Sequence, residues 1–401
     1  MHNSNVLALY GGTPVYAGSW PAEHRVDAKD EEILLCTLRS TNWTAGGMTS
    51  AFERGFANFC GARHCLLVEN GTAALKIALQ AAGIRPGDEV LIPGITWPSV
   101  AAAVLDCHAA PVPIDIELDT FGITADAVEA AIQDRTRAVV PTHLFCSQTD
   151  MVAIQKLAKQ RGLVLVEDCA HVPGARRFGS TLGTFGHVGV FSFNQKKLLS
   201  CGEGGCLITN DADLFERAVS LRHFDATPGG LVPGTHLASE FQAAILIGQM
   251  RKLPETLAIM EERGERLRSL LHQIEDIEPL ARLPGTNLQT FYNFCFRVRG
   301  GTDITFFRQA LAAELSLKIS GAYTPLADVP TLNTSADPRF RELGRHLRTT
   351  LPNCVTAHYG EAVRFRHSAL MAGEDAIEAI ANAVEKVHRI GDSTARGSRI
   401  E

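Results

Sequence analysis

The chain reads as an α/β protein: a mostly parallel sheet with helices on both faces, followed by a smaller α+β unit. Two observations predict this class. Over the first two thirds, short apolar runs alternate with stretches of helical periodicity about 10–15 residues long, the signature of parallel strands joined by covering helices. After Asp211 the alternation gives way to longer helices and a single apolar run, the texture of a segregated α+β unit.

The expected strands are residues 65–68, 89–92, 110–114, 138–141, 163–167, 188–193 and 205–209. Helical spacing falls at 72–82, 100–105, 125–132 and 151–161, and turn signals such as Arg85-Pro86-Gly87-Asp88 separate the two kinds of segment. Helices follow at 214–222 and 240–250, then a charged helix from Pro254 to about residue 274. Past Pro284-Gly285-Thr286 come a strand at 291–298, a helix at 304–314 and a closing helix at 374–388, with a polar tail from 391. At roughly 100–200 residues per domain, 401 residues make two domains. The division expected is a large domain with an N-terminal arm over 1–255 and a small domain over 256–401.

Composition narrows the function. Hydrophobic residues at 45% and charged residues at 20% are those of a globular chain, and a net charge of −6 lacks the basic footprint of a nucleic-acid binder. No apolar run approaches the roughly 20 residues that span a bilayer, and the first five residues lack the basic-then-apolar pattern of a secretory signal. The ten cysteines include no Cys-x-x-Cys pair, so they read as reduced core thiols. A soluble cytoplasmic enzyme is the expectation.

In parallel sheets ligands sit at the carboxyl ends of strands, and four segments there carry candidate chemistry. Val68-Glu69-Asn70-Gly71-Thr72 passes from strand to helix; Gly71 and Thr72 offer an anion cradle, or simply a helix cap. The strand 163–167 runs into Asp168, Cys169, Ala170 and His171. Asp168 could hold a cationic ring nitrogen with His171 beside it, or the pair could cap a turn. After Phe191-Ser192-Phe193 come Lys196, Lys197 and the turn Gly202-Glu203-Gly204-Gly205; a lysine there is either a desolvated nucleophile or a surface amine. Trp97 could stack on a planar ligand or belong to the core. Read jointly, a phosphate cradle, a stacking ring, a carboxylate and an amine match what pyridoxal 5'-phosphate requires.

With these motifs in order, and with Glu240-Phe241-Gln242-Ala243-Ala244 beyond them, the sequence resembles the DegT/StrS family of sugar and cyclitol aminotransferases, of the fold type I, aspartate-aminotransferase-like class. The resemblance covers nearly the whole chain. It implies that Lys197, not Lys196, forms the Schiff base, that Asp168 pairs with the pyridine nitrogen, and that Trp97 and His171 flank the ring. Gly71, Thr72 and Ser192 would contact the phosphate. A lysine at 197 argues against the related sugar dehydratases, which carry histidine there. The resemblance also implies a homodimer in which an asparagine, two residues before an arginine, reaches the neighbouring subunit's phosphate. Those positions are Thr235 and Leu237 here, and a His-His pair of some members is Arg366-His367. The implied reaction moves an amino group from glutamine or glutamate to a keto-cyclitol or keto-sugar of secondary metabolism. The alternatives are an aromatising dehydratase like aminohydroxybenzoate synthase, and a cofactor-binding regulatory protein.

Overall fold

The computed structural model describes residues 6–224 and 232–397. Two helices come first, α1 (Ala28–Arg39) and α2 (Gly47–Cys60). The alternating region then runs β1 (His64–Val68), α3 (Gly71–Ala81), β2 (Glu89–Pro93), α4 (Ser99–Asp106), β3 (Ala110–Ile114), α5 (Ala125–Ala131), β4 (Thr136–Val139), α6 (Met151–Arg161) and β5 (Val164–Asp168). Two short strands, β6 (Arg176–Arg177) and β7 (Ser180–Thr181), precede β8 (Val188–Ser192), β9 (Gly205–Thr209) and α7 (Ala212–Arg222). The helix α8 (Glu240–Leu271) leads into β10 (Ile277–Pro279), β11 (Thr286–Leu288), β12 (Asn293–Val298), α9 (Ile304–Leu315), α10 (Pro352–Val355), β13 (Ala362–Arg366) and α11 (Glu374–Gly397).

The main sheet has seven strands in the order β1-β9-β8-β5-β4-β2-β3. From β3 to β8 the pairs are parallel, while β9 is antiparallel to both β8 and β1. The twelve residues that join β8 to β9, 193–204, hold no helix to cross a face of the sheet, and the chain returns antiparallel. Period-2 alternation splits each strand between two cores. Leu67, Leu91, Val139, Leu165 and Phe191 face one side with Phe52, Phe56 and Leu257. Leu66, Val90, Ala138, Val166 and Val190 face the other with Ala74, Ile77, Val100 and Leu214. Both faces are thus covered, which is why these strands read as unbroken apolar runs.

Several details correct the sequence reading. The helices expected at 240–250 and 254–274 are one, α8, with Pro254 inside it. Proline removes one backbone donor. Here Leu253 and Leu257 on either side are buried against the core, which holds the helix through it. Residue 255, the expected domain boundary, lies within α8. The helices α1 and α2 were not anticipated, and the late strand is joined by β10 and β13 into an antiparallel sheet of order β10-β12-β13. The closing helix continues to Gly397 instead of ending at 388; residues 398–401, like 1–5 with the signal question, lie outside the described residues. All ten cysteines are free and nine are buried, Cys36 being exposed.

Candidate active site

The carboxyl ends of the parallel strands open into a cavity of 670 Å3. Seven of the eight residues singled out above line it: Gly71, Thr72, Trp97, Asp168, His171, Ser192 and Lys197. The eighth, Thr235, is exposed in the segment before α8 and is not among the lining residues of this chain.

The cradle comes from three backbones in close approach. Asn70 caps α3, its side chain accepting from the Ala73 N–H at 2.8 Å, which leaves the N–H groups of Gly71 and Thr72 directed out of the helix end. A Cβ on Gly71 would stand 2.8 Å from Ser192 Cβ, and one on Gly205 would stand 2.4 Å from the Asn70 carbonyl carbon. Both glycines are there because nothing larger fits. The helix end and the Ser192 hydroxyl face the same space, the donor set an oxyanion group needs.

Asp168 ends β5 and is 4% exposed. Its Oδ1 accepts from the Ala170 N–H at 3.1 Å and its Oδ2 from the Thr142 hydroxyl at 3.5 Å. Burial raises its pKa, opposed by that hydrogen bonding and by the Lys197 charge. A carboxylate so placed calls for a cation in the cavity. His171 accepts the Phe145 N–H on Nδ1 at 3.1 Å, which assigns the ring proton to Nε2, 3.4 Å from the Tyr323 hydroxyl. Its ring stacks on Tyr292 with centroids 4.0 Å apart. Burial, with the charges of Lys197, Arg364 and Arg366, holds His171 well below the ordinary histidine pKa, so it is neutral. Trp97 is 57% exposed at the cavity mouth, edge-on to Tyr323 at 5.5 Å.

Lys197 and Lys196 lie in different surroundings. The Lys197 Nζ lies 4.7 Å from the Tyr292 ring centroid, inside the cavity, whereas Lys196 is exposed. Burial lowers the Lys197 pKa to about 8, helped by Arg366 and opposed by Asp168. The loop carrying it is fixed at both ends: Gln195 N–H donates to Gly202 O at 2.6 Å, and Asn194 Nδ2 to Glu203 Oε1 at 2.6 Å. From α8, Gln242 Nε2 donates to Glu203 O at 2.6 Å. In the same motif, Glu240 accepts the N–H groups of Gly46, Met48 and Thr49, tying the start of α2 to the start of α8. The motif therefore supports the site without entering it.

Sequence reasoning missed the wall contributed by the C-terminal third. Tyr292, Asn293, Ser320, Tyr323, Arg364 and Arg366 line the cavity. Arg366 is bidentate to Glu23 of the N-terminal arm, 2.6 Å for each bond, and also donates to the Lys196 carbonyl. His367 turns away: it is 1% exposed, with Nδ1 3.3 Å from the Tyr292 carbonyl, and burial lowers its pKa to about 4. Single residues scattered over some 75 positions leave no spacing to read. The substituted His-His pair at 366–367 was the one available signal.

Comparisons with known proteins agree with this geometry. The profile of the DegT/DnrJ/EryC1/StrS aminotransferase family matches residues 24–384. An L-glutamine:2-deoxy-scyllo-inosose aminotransferase of Streptomyces kanamyceticus is 36% identical, over 96% of this chain and 97% of its own. An L-glutamine:scyllo-inosose aminotransferase of Streptomyces griseus is 35% identical, over 95% and 97%. The crystal structure of a 3-amino-5-hydroxybenzoic acid synthase, 30% identical, superposes with a TM-score of 0.82 over 94% of this chain and 99% of its own. The cavity fits pyridoxal 5'-phosphate on its own terms, with a cradle sized by Gly71 and Gly205 at one end and a buried carboxylate facing an amine across it. The chain belongs to the DegT/DnrJ/EryC1/StrS aminotransferase family and is a pyridoxal 5'-phosphate-dependent aminotransferase of fold type I.

Proposed function

We propose that this enzyme transfers the amino group of L-glutamine to a keto-cyclitol of the scyllo-inosose type. The observation that carries the reading is identity of 35–36%, over nearly the full chain, to enzymes named for that reaction. The cavity supports it, since it offers one buried amine and a wall of neutral hydrogen-bonding groups (Thr96, Ser320, Tyr323) suited to a polyhydroxy ketone.

In this reading each side chain has one task. Bound pyridoxal 5'-phosphate supplies a reactive aldehyde carbon and an electron-withdrawing ring. Lys197 holds the cofactor through Nζ and, once displaced by the donor, carries a proton on that nitrogen between donor or acceptor carbon and cofactor. Asp168 keeps a proton on the ring nitrogen. Gly71, Thr72 and Ser192 hold the phosphate. His171, neutral and pinned by the Phe145 N–H, packs against the ring without competing for its protons. Trp97 covers the exposed face and excludes water. Glu23 and Arg366 clip the N-terminal arm to the loop before Lys197.

We also propose a cytoplasmic homodimer. Leu34, Leu35 and Leu38 of α1, with Trp43, are 38–50% exposed and form an apolar stripe that a second copy would bury. Thr235 would reach the neighbouring subunit's cofactor from that interface. The two parts, 1–255 and 256–401, would meet along α8 with the substrate between them. No helix among the described residues is long and apolar enough to cross a membrane.

The test is direct. Borohydride should trap the cofactor on Lys197 in the wild type and not in Lys197→Ala. Glutamine should then convert the bound cofactor to its amine form, and keto-cyclitols, screened against nucleotide keto-sugars, should convert it back. A cofactor left unchanged by every amino acid would refute the transfer reading and favour the dehydratase chemistry of the synthase whose structure resembles this one.

A further inference from the structure

A guanidinium beside a reacting amine makes a cavity attractive to anions, phosphate groups above all. Arg366 ends β13 and lines the cavity, 4.9 Å from the centroid of the Tyr292 ring, the same ring that Lys197 Nζ approaches to 4.7 Å. Its charge acts on both Lys197 and His171. Yet this guanidinium is not free. Glu23 spans it from the N-terminal arm, accepting from Nε on Oε1 and from an Nη on Oε2, each at 2.6 Å. Burial raises the Glu23 pKa, but the hydrogen bond and charge of Arg366 outweigh it and hold the carboxyl below the ordinary carboxylate range. Both partners are therefore ionised at neutral pH, and the pair as a whole is neutral.

Glu23 does more than cancel a charge, because it lines the cavity itself and its side chain is 30% exposed. A carboxylate has about four lone-pair sites, and Arg366 takes two of them. The remaining acceptors discriminate between ligands. A hydroxyl can donate to them, whereas a phosphate oxygen only accepts and carries charge of the same sign. The arm does not depend on this contact alone. His24 Nε2 lies 2.7 Å from the Gln195 carbonyl, and the Arg25 carbonyl accepts from Lys252 Nζ at 2.6 Å and Gln249 Nε2 at 3.2 Å.

We propose that Glu23 is a specificity-determining residue for the amino acceptor. By occupying Arg366 and presenting acceptors in its place, it fits the cavity to an uncharged polyhydroxy ketone and turns away a phosphorylated one. The inference rests on the acceptor half of the function proposed above. Without the Glu23 charge, the Arg366 fork beside the amine would be open to a phosphate, which matches it in shape and charge.

The experiment uses the holoenzyme with its cofactor in the amine form, a keto-cyclitol and the monophosphate of the same keto-cyclitol. In half-reactions followed by cofactor absorbance at varied acceptor concentration, the wild type should favour the neutral acceptor. Glu23→Gln keeps a hydrogen-bonding group opposite Arg366 and removes the charge. Its preference ratio, phosphorylated over neutral, should rise about 10–100-fold, through apparent affinity and not through maximal rate. By calorimetry, inorganic phosphate should bind the Glu23→Gln holoenzyme at least ~10-fold more tightly than the wild type. That gain should vanish when Arg366→Gln is added to Glu23→Gln, since both charges are then gone. A loss shared equally by the two acceptors, which is what a merely slackened arm would cause, overturns the proposal. So does a wild type that prefers the phosphorylated acceptor, or phosphate binding that Glu23→Gln leaves unchanged. A gain that survives in the double variant also overturns it, by placing the anion on Lys196, Lys318 or Arg364 of the same lining. If phosphate behaves as expected while the wild type aminates neither acceptor, the transfer reading falls and the counter-ion role of Glu23 stands.

Discussion

The pKa of Lys197 near 8 can be tested in the cofactor-free chain. An ordinary lysine, near 10.5, is about 0.03% neutral at pH 7; at 8 it is about 9% neutral, a gain of ~300-fold in reactive amine. The rate of cofactor capture, followed by absorbance from about pH 6 to about pH 11, should therefore rise with a midpoint near 8. Asp168→Asn removes the neighbour that favours the charged amine and should move that midpoint lower. Stability carries the same signature. Between pH 8 and 10.5 the unfolded chain binds more protons at this amine than the folded chain, so stability rises with pH across that window. Below it, the charged amine costs up to ~3 kcal/mol. Lys197→Met should recover that energy in urea unfolding at neutral pH and lose its advantage as the pH passes about 10.5. A capture midpoint at 10 or above, or a Met variant with the same advantage at both ends, would show that burial does not tune this amine.

Two further outcomes follow from the same geometry. Gly71→Ala places a methyl 2.8 Å from Ser192 Cβ, so cofactor retention should fall at least ~10-fold in dialysis, while circular dichroism of the cofactor-free chain stays that of the wild type. His171 should stay neutral across the range in which an ordinary histidine, near 6.5, titrates; its imidazole NMR resonances should not move there, and the activity profile should contain no limb that His171→Asn removes.

Much of this was legible in the sequence because local chemistry and spacing coincide. The runs ending at Val68, Asp168 and Ser192 announce buried strands, and their termini carry the residues the cavity gathers. What was not legible depends on pairing across distance. The antiparallel return of β9 goes with a connection that holds no helix, yet its apolar run looks like that of any covered strand. Pro254 signals a helix end, and packing of Leu253 and Leu257 overrides it. Tyr292, Tyr323 and Arg364 each sit alone in the sequence, so only the antiparallel sheet of β10, β12 and β13, with the segment before α10, brings them to the cofactor side. Glu23 is the extreme case, 343 positions from the arginine it holds.

The double anchor made by Glu240 and Gln242 alters how damage to this enzyme would look. One carboxylate gathers three amide protons from the start of α2, and two residues later an amide grips the loop that carries the reactive lysine. A lesion at either position would let the cofactor drift from its amine while leaving every group that touches it intact. A genetic screen would score such a mutant as catalytically dead, and the culprit would be a keystone standing well outside the chamber it keeps shut.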